Sequence, residues 1–211
     1  MPNLDRLLPI LSPVLRPLMA SMQKGRRSQF EALPQSADRV LFLGDSITEQ
    51  GIWAEWFPEL RTLNRGIGGD PICGVQARLD STINKPRAIS LLIGTNDLHG
   101  VGKSSAVVDI AAQMRELVDQ IRRKAPSAPL FINSVLPRST LFRDRIRSLN
   151  DHYQRIAADA GATYIDVWPA LAGPDGAIRS ELTTDGLHLQ GAGYRAWTDI
   201  LRPHLARFAS E

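Results

Sequence analysis

Short apolar runs alternate along this chain with longer stretches whose apolar residues recur at helical spacing. Residues 39–43, Arg39-Val40-Leu41-Phe42-Leu43, form a run ended by Gly44-Asp45, which reads as a buried strand stopped by a turn. Residues 60–64, 88–93, 129–135 and 163–167 predict four further strands. Between them, residues 104–124 carry Ile110, Met114, Leu117, Val118 and Ile121 on one helical face, and residues 141–160 and 191–208 predict two more helices. Strands alternating with helices imply an α/β fold, a parallel sheet with helices on both faces. The near-continuous apolar character of the runs fits strands covered on both sides. In such sheets ligands bind beyond the carboxyl ends of the strands, so the turns that end these runs are where chemistry is sought.

The first 35 residues follow a different pattern. Leu4, Leu7, Leu8, Leu11, Val14, Leu15, Leu18 and Met22 share one helical face, whereas Pro9, Pro13 and Pro17, spaced four apart, predict a shortened or kinked helix. This segment reads as an amphipathic arm packed on the domain or on a second copy of the chain. A segment lying in a membrane interface, helped by Lys24, Arg26 and Arg27, is the sharper and less favoured reading. Residues 1–35 are thus expected to form an arm and residues 36–211 one domain. The arm has no basic start and Arg16 interrupts its apolar stretch, which argues against a signal peptide and for a cytoplasmic protein. No apolar run approaches the roughly 20 residues of a spanning helix.

Charge narrows the function class. Residues 1–39 hold six basic and three acidic side chains, which accounts for the whole formal charge of +3 and leaves the rest of the 211-residue chain balanced. A nucleic-acid binder would need a basic face on the folded body, so none is expected as a partner. The single cysteine, Cys73, can form neither a disulfide within the chain nor a cysteine zinc site, and reads as a small apolar filler.

Four polar clusters remain. In Gly44-Asp45-Ser46-Ile47-Thr48, a strand-to-helix turn would expose Ser46, whose hydroxyl is a nucleophile only when a neighbouring base takes its proton. The same residues also suit a plain helix cap. In Asp185-Gly186-Leu187-His188, an aspartate and a histidine three apart can meet in a turn as orienter and base, or serve as a cap and a surface histidine. Asn64-Arg65-Gly66-Ile67-Gly68-Gly69-Asp70 offers backbone N–H groups to an oxyanion, or is a tight turn; its spacing misses the dinucleotide fingerprint. In Gly94-Thr95-Asn96-Asp97, the Asn96 amide is either a side-chain oxyanion donor or a turn residue. Taken singly these are ordinary turns, but together they supply a nucleophile, a base, an orienter and two sources of oxyanion donors.

In this order the four clusters resemble the GDSL-type hydrolases, the SGNH hydrolase superfamily, named for a serine, a glycine, an asparagine and a histidine in four blocks. Ile47 stands where the family name has leucine. The resemblance spans residues 38–205, and the strings at 64–70 and 185–189 are most similar to the branch that holds platelet-activating-factor acetylhydrolase catalytic subunits and related bacterial esterases. It implies a three-layer α/β/α sandwich around a five-stranded parallel sheet, a flavodoxin-like arrangement, over residues 36–211. It also implies a serine esterase that hydrolyses carboxylic esters, with Ser46 as nucleophile, His188 as base and Asp185 as the partner of His188. The implied oxyanion donors are the Ser46 N–H, the Gly69 N–H and the Asn96 side chain; Gly69 is preferred to Gly66 and Gly68 as the last glycine before Asp70. No cofactor and no metal is implied.

The expected partner is a small-molecule ester, with short acyl groups favoured because no long insertion could form a lid. Acyl transfer, thioester hydrolysis and carbohydrate O-deacetylation would use the same residues and stay open, as does, more remotely, a non-catalytic binding module. The arm at residues 1–35 lies outside the family pattern and could join two copies of the chain. Trp53, Trp56 and Phe57 read mainly as core packing; Arg138, Arg143 and Arg145 fit a cleft rim or, more plainly, a solvated basic loop. Gly102-Lys103-Ser104 suggests a phosphate loop, but that pattern needs glycine five positions earlier, where Asp97 stands.

Overall fold

The computed structural model describes residues 4–34, 36–100, 102 and 105–209, with side-chain surroundings from residue 17 onward. Five parallel strands form one sheet: β1 (Val40–Gly44), β2 (Thr62–Gly66), β3 (Ala88–Leu92), β4 (Leu130–Asn133) and β5 (Thr163–Ile165), in the order β2-β1-β3-β4-β5. All five lie where the apolar runs predict them, within two residues at each start. β1 and β3 are buried at every position because both of their faces are covered.

Side chains alternate across the sheet. Leu41, Leu43, Ile89, Leu91, Leu130 and Ile132 enter one core, whereas Val40, Phe42, Ala88, Leu92 and Phe131 enter the other. The first core is closed by α4 (Ile72–Gln76), α5 (Leu79–Thr82), α7 (Val107–Lys124) and α8 (Arg143–Asp159). The second is closed by α2 (Ser46–Glu49), α3 (Trp53–Trp56), α9 (Trp168–Leu171) and α10 (Gly191–Leu205). The molecule is thus a three-layer α/β/α sandwich. Trp53 and Phe57 pack in the second core as expected; the Trp53 ring stacks on Phe42 with centroids 4.0 Å apart, and its Nε1 donates to Thr48 O at 2.9 Å. The remaining short helix, α6 (Thr95–Leu98), follows β3.

The N-terminal helix is not shortened by its prolines. α1 (Leu4–Ala32) is one helix of 29 residues, running through Pro9, Pro13 and Pro17. An interior proline costs about 3 kcal/mol because it removes an N–H and crowds the carbonyl four residues back. Pro17, the one proline of α1 whose surroundings are described, is exposed. At its other end α1 is held to the body: Phe30 is buried between the guanidinium groups of Arg26 and Arg65, 5.0 and 4.5 Å from its ring centre. No described helix is long and apolar enough to cross a membrane.

Two further readings change. Arg138 belongs neither to a cleft rim nor to a solvated loop: it is buried, donates to Thr95 O and Thr95 Oγ1, and lies over the Phe142 ring. Its Nη1 meets two fixed acceptors, which offsets part of the cost of burial. Arg143 is exposed beside Asp144, and Arg145 donates to Leu98 O. The helix expected from residue 104 begins at Val107, so Gly102 does not open it; Lys103 and Ser104 of the suggested phosphate loop lie outside the described residues. Cys73 is a half-buried free thiol on α4.

Candidate active site

Each of three neighbouring strands ends in one of the polar clusters. β1 ends at Gly44, and Asp45 caps α2 by accepting the Ile47 N–H at 3.0 Å, which leaves Ser46 as the first residue of that helix. Asn64 on β2 ties down the far end of α2: its Nδ2 donates to the carbonyls of Thr48, Glu49 and Gly51. β2 runs into a turn closed by Asp70 N–H to Ile67 O at 3.1 Å, with Gly69 at φ +75°, a conformation that a side chain would strain. β3 leads to Gly94 at φ +121°, where a Cβ would meet the Tyr153 hydroxyl at 2.5 Å, and then to Asn96 on α6. Asn96 Nδ2 donates to Asp70 O at 3.0 Å, which fixes the amide plane against the glycine turn.

The fourth cluster folds as a small closed loop before α10. Asp185 Oδ1 accepts the N–H groups of Leu187 and His188 at 2.9 and 2.8 Å, and Thr183 Oγ1 donates to His188 O at 2.7 Å. An antiparallel bridge between Thr183 and Leu189 closes the loop. His188 Nδ1 then lies 2.7 Å from Asp185 Oδ2, and His188 Nε2 lies 2.9 Å from Ser46 Oγ. Tyr194 on α10 donates its hydroxyl to Ile47 O at 2.7 Å, which locks the helix after the histidine loop to the helix that carries the serine. All five residues singled out in the sequence, Ser46, Gly69, Asn96, Asp185 and His188, therefore converge at one end of the sheet. Ser46, Gly69, Asn96 and His188 line a cavity of about 460 Å³.

A family model described as GDSL-like Lipase/Acylhydrolase matches residues 42–196. The chain belongs to this family. It is an ester hydrolase. Among curated relatives, it is 28% identical over 183 residues to human (Homo sapiens) platelet-activating factor acetylhydrolase IB subunit alpha1, covering 82% of this chain and 77% of that one. It is 30% identical over 166 residues to the alpha2 subunit from Rattus norvegicus, covering 74% and 70%. A solved Streptococcus pneumoniae protein whose description names platelet activating factor superposes with a TM-score of 0.82 at 26% identity, covering 93% of this chain and 98% of that one.

The family match starts at residue 42, yet α1 forms one wall of the cavity, where Met19, Met22, Gln23 and Arg26 line it together with Ile67 and Leu187. The cover that no insertion in the sequence provides is thus supplied by the arm. Sequence reasoning also missed the groups that hold the glycine turn. Asp70 is buried and accepts Arg27 Nη2 at 2.9 Å and Arg78 Nε at 2.8 Å. Arg78, also buried, extends to Arg65 O and Gly44 O, tying the ends of β2 and β1 together. These partners are distant in sequence, and a lone arginine in a helical segment carries no local signal of such a role.

The charges near the site differ in state. Burial pushes the Asp45 carboxyl up to about 7; the nearby Asp70 and Asp97 add to the shift, and the Ile47 N–H and Arg138 oppose it. Burial likewise pushes Asp97 up to about 7, against the hydrogen bond from Ile72 N–H. For Asp185 burial also acts upward, but hydrogen bonds from the His188 ring and from the His188 and Leu187 N–H groups outweigh it and hold the carboxyl below its ordinary value. The carboxyl facing the histidine is therefore held in its ionised form. Among the described residues, no group of three or more His, Cys, Asp or Glu side chains is placed to hold a metal ion.

Proposed function

We propose that the chain is a serine esterase that hydrolyses carboxylic esters of small acyl groups through an acyl-enzyme on Ser46. The observation that carries this reading is the unbroken hydrogen-bonded relay from Ser46 Oγ to His188 Nε2 and from His188 Nδ1 to Asp185 Oδ2, open to the cavity. Ser46 attacks the ester carbonyl as His188 takes its proton, and Asp185 holds the ring and stabilises its charged form. The oxyanion receives the Ser46 N–H, the Gly69 N–H and the Asn96 amide. His188 then protonates the leaving alcohol, and water repeats the cycle on the acyl group.

Gly69 is favoured over Gly68 as a donor, because the Gly68 N–H is already given to Glu49 Oε2 at 2.8 Å. Neither the Ser46 nor the Gly69 N–H has an acceptor among the described residues. The acyl preference draws on the relatives, which are named as acetylhydrolases.

The test is hydrolysis of p-nitrophenyl esters from acetate to palmitate by the wild type and Ser46→Ala. Turnover by the wild type with its optimum at short chains, and none by the variant, supports the proposal. Equal turnover by both removes Ser46 as the nucleophile.

A further inference from the structure

The glycine turn sits in a clamp, and the clamp comes from outside the family-matched region. Gln23 Nε2, on α1, donates to Gly68 O at 3.0 Å. Arg26, one turn on, faces Glu49 Oε1 at 3.4 Å, and the other oxygen of that carboxylate accepts the Gly68 N–H at 2.8 Å. Arg27 reaches the buried Asp70 at 2.9 Å. Three successive groups of one helix thus fix, directly or through Glu49, both polar ends of Gly68 and the residue that closes the turn. Met19 packs on the same spot, its Cε 2.5 Å from where a Cβ on Gly69 would stand.

The Gly68–Gly69 peptide is the hinge of this arrangement. A trans peptide is planar, with its C=O and N–H pointing to opposite sides. A donor that fixes the direction of Gly68 O therefore fixes the direction of the Gly69 N–H. A turn made of two adjacent glycines does not choose that direction by itself, because each populates positive and negative φ with comparable ease. The second central residue sits at φ +75° here, and rotation of the central peptide is the soft motion that separates one turn type from another. Oxyanion stabilisation depends on donors held in place before charge develops, so a peptide free to rotate would lose much of that effect.

We propose that Gln23 of α1 is a positioning residue for the oxyanion site: by holding Gly68 O it orients the Gly69 N–H, so that the N-terminal helix, beyond walling the cavity, completes the catalytic geometry. This rests on the serine-esterase reading and on Gly69 as a donor. Gln23 acts through the peptide and touches no reacting atom. Its loss weakens the transition state more than substrate binding, which lowers kcat and leaves KM in place.

The experiment compares the full-length wild type with Gln23→Met, which keeps the length and loses the donor, and with Gln23→Glu, which keeps the shape and places an acceptor against Gly68 O. Ser46→Ala is the control. Gln23 is half-buried on a helix surface, and matching thermal transitions verify that the variants fold. With p-nitrophenyl acetate both variants are expected to lose about 10- to 100-fold in kcat, the scale of a slight misplacement at a reacting centre, with KM within about twofold. Affinity for phenylboronic acid, which forms a tetrahedral adduct on the serine, falls by a similar factor. Wild-type kcat and boronate affinity in both Gln23 variants, or a change in KM alone, overturns the proposal while an inactive Ser46→Ala leaves the esterase reading standing. A fully active Ser46→Ala brings down that reading and this inference with it.

Discussion

Arg78 Nε lies 2.8 Å from Asp70 Oδ2 with both side chains buried, and the other two nitrogens of the same guanidinium hold Arg65 O and Gly44 O. One side chain thus joins the ends of two strands to the turn that follows the second. Removing one partner of a buried ion pair costs about 3–5 kcal/mol, since the other charge stays buried and two carbonyls lose their donor. Arg78→Met is expected to lower the urea unfolding midpoint accordingly. A midpoint equal to that of the wild type would show that Arg27 alone suffices for Asp70.

Asn96 offers a different kind of test, because its amide has two N–H groups and only one is spent, on Asp70 O. Asn96→Ala is expected to reduce kcat by about 10²–10³ while leaving KM nearly unchanged, the cost of one lost oxyanion donor. Steady-state kinetics on a short-chain p-nitrophenyl ester measure it. A loss confined to KM would place Asn96 in substrate binding instead.

Asp45 gives the fold a pH dependence. Its carboxyl is pushed up to about 7 in the folded chain, against an ordinary value of 3.8, so the folded state holds this proton more tightly than the unfolded state does. Stability from this group is complete below the unfolded value and is lost as pH rises from about 4 through about 7. Asp70, Asp97 and Arg138 are the charged groups that act on it, and Asp97 adds a slope of the same sign. Asp45→Asn retains an oxygen able to accept the Ile47 N–H and removes the titration. It is expected to melt higher than wild type at pH 8, by about 2–4 °C for each kcal/mol regained, with the gap closing towards pH 4. Thermal unfolding across that range is the measurement; parallel curves for the two proteins would refute the assignment.

The sheet was legible because its information is local. Runs such as Val40-Leu41-Phe42-Leu43, bounded by Gly44, mark a buried strand without reference to anything distant. The five candidate site residues were legible because each sits in a short string with its own turn chemistry, and parallel strands bring such strings to one edge. What escaped depends on meetings between distant segments. Arg138 looked like loop charge until Thr95, 43 residues earlier, supplied its acceptors. Pro9, Pro13 and Pro17 argued against a long helix, since a local rule cannot weigh interior prolines against the anchoring of Phe30, Gln23 and Arg27 near the far end of α1.

The catalytic groups proposed here stand on short helices and loops at one end of a closely packed sheet, whereas the cavity wall at Met19 and Met22 belongs to a helix joined to β1 by a short connector. Apart from Gln23, which serves the oxyanion turn, chemistry and admission are therefore written on separable stretches of chain. Met22, which has no part in the clamp on the glycine turn, can be exchanged for a bulkier or smaller side chain, changing which acyl groups enter, with little strain transmitted to the serine and histidine. Such a layout lets a lineage, or an engineer, retune selectivity by drift in one surface element while the reactive centre stays as it is.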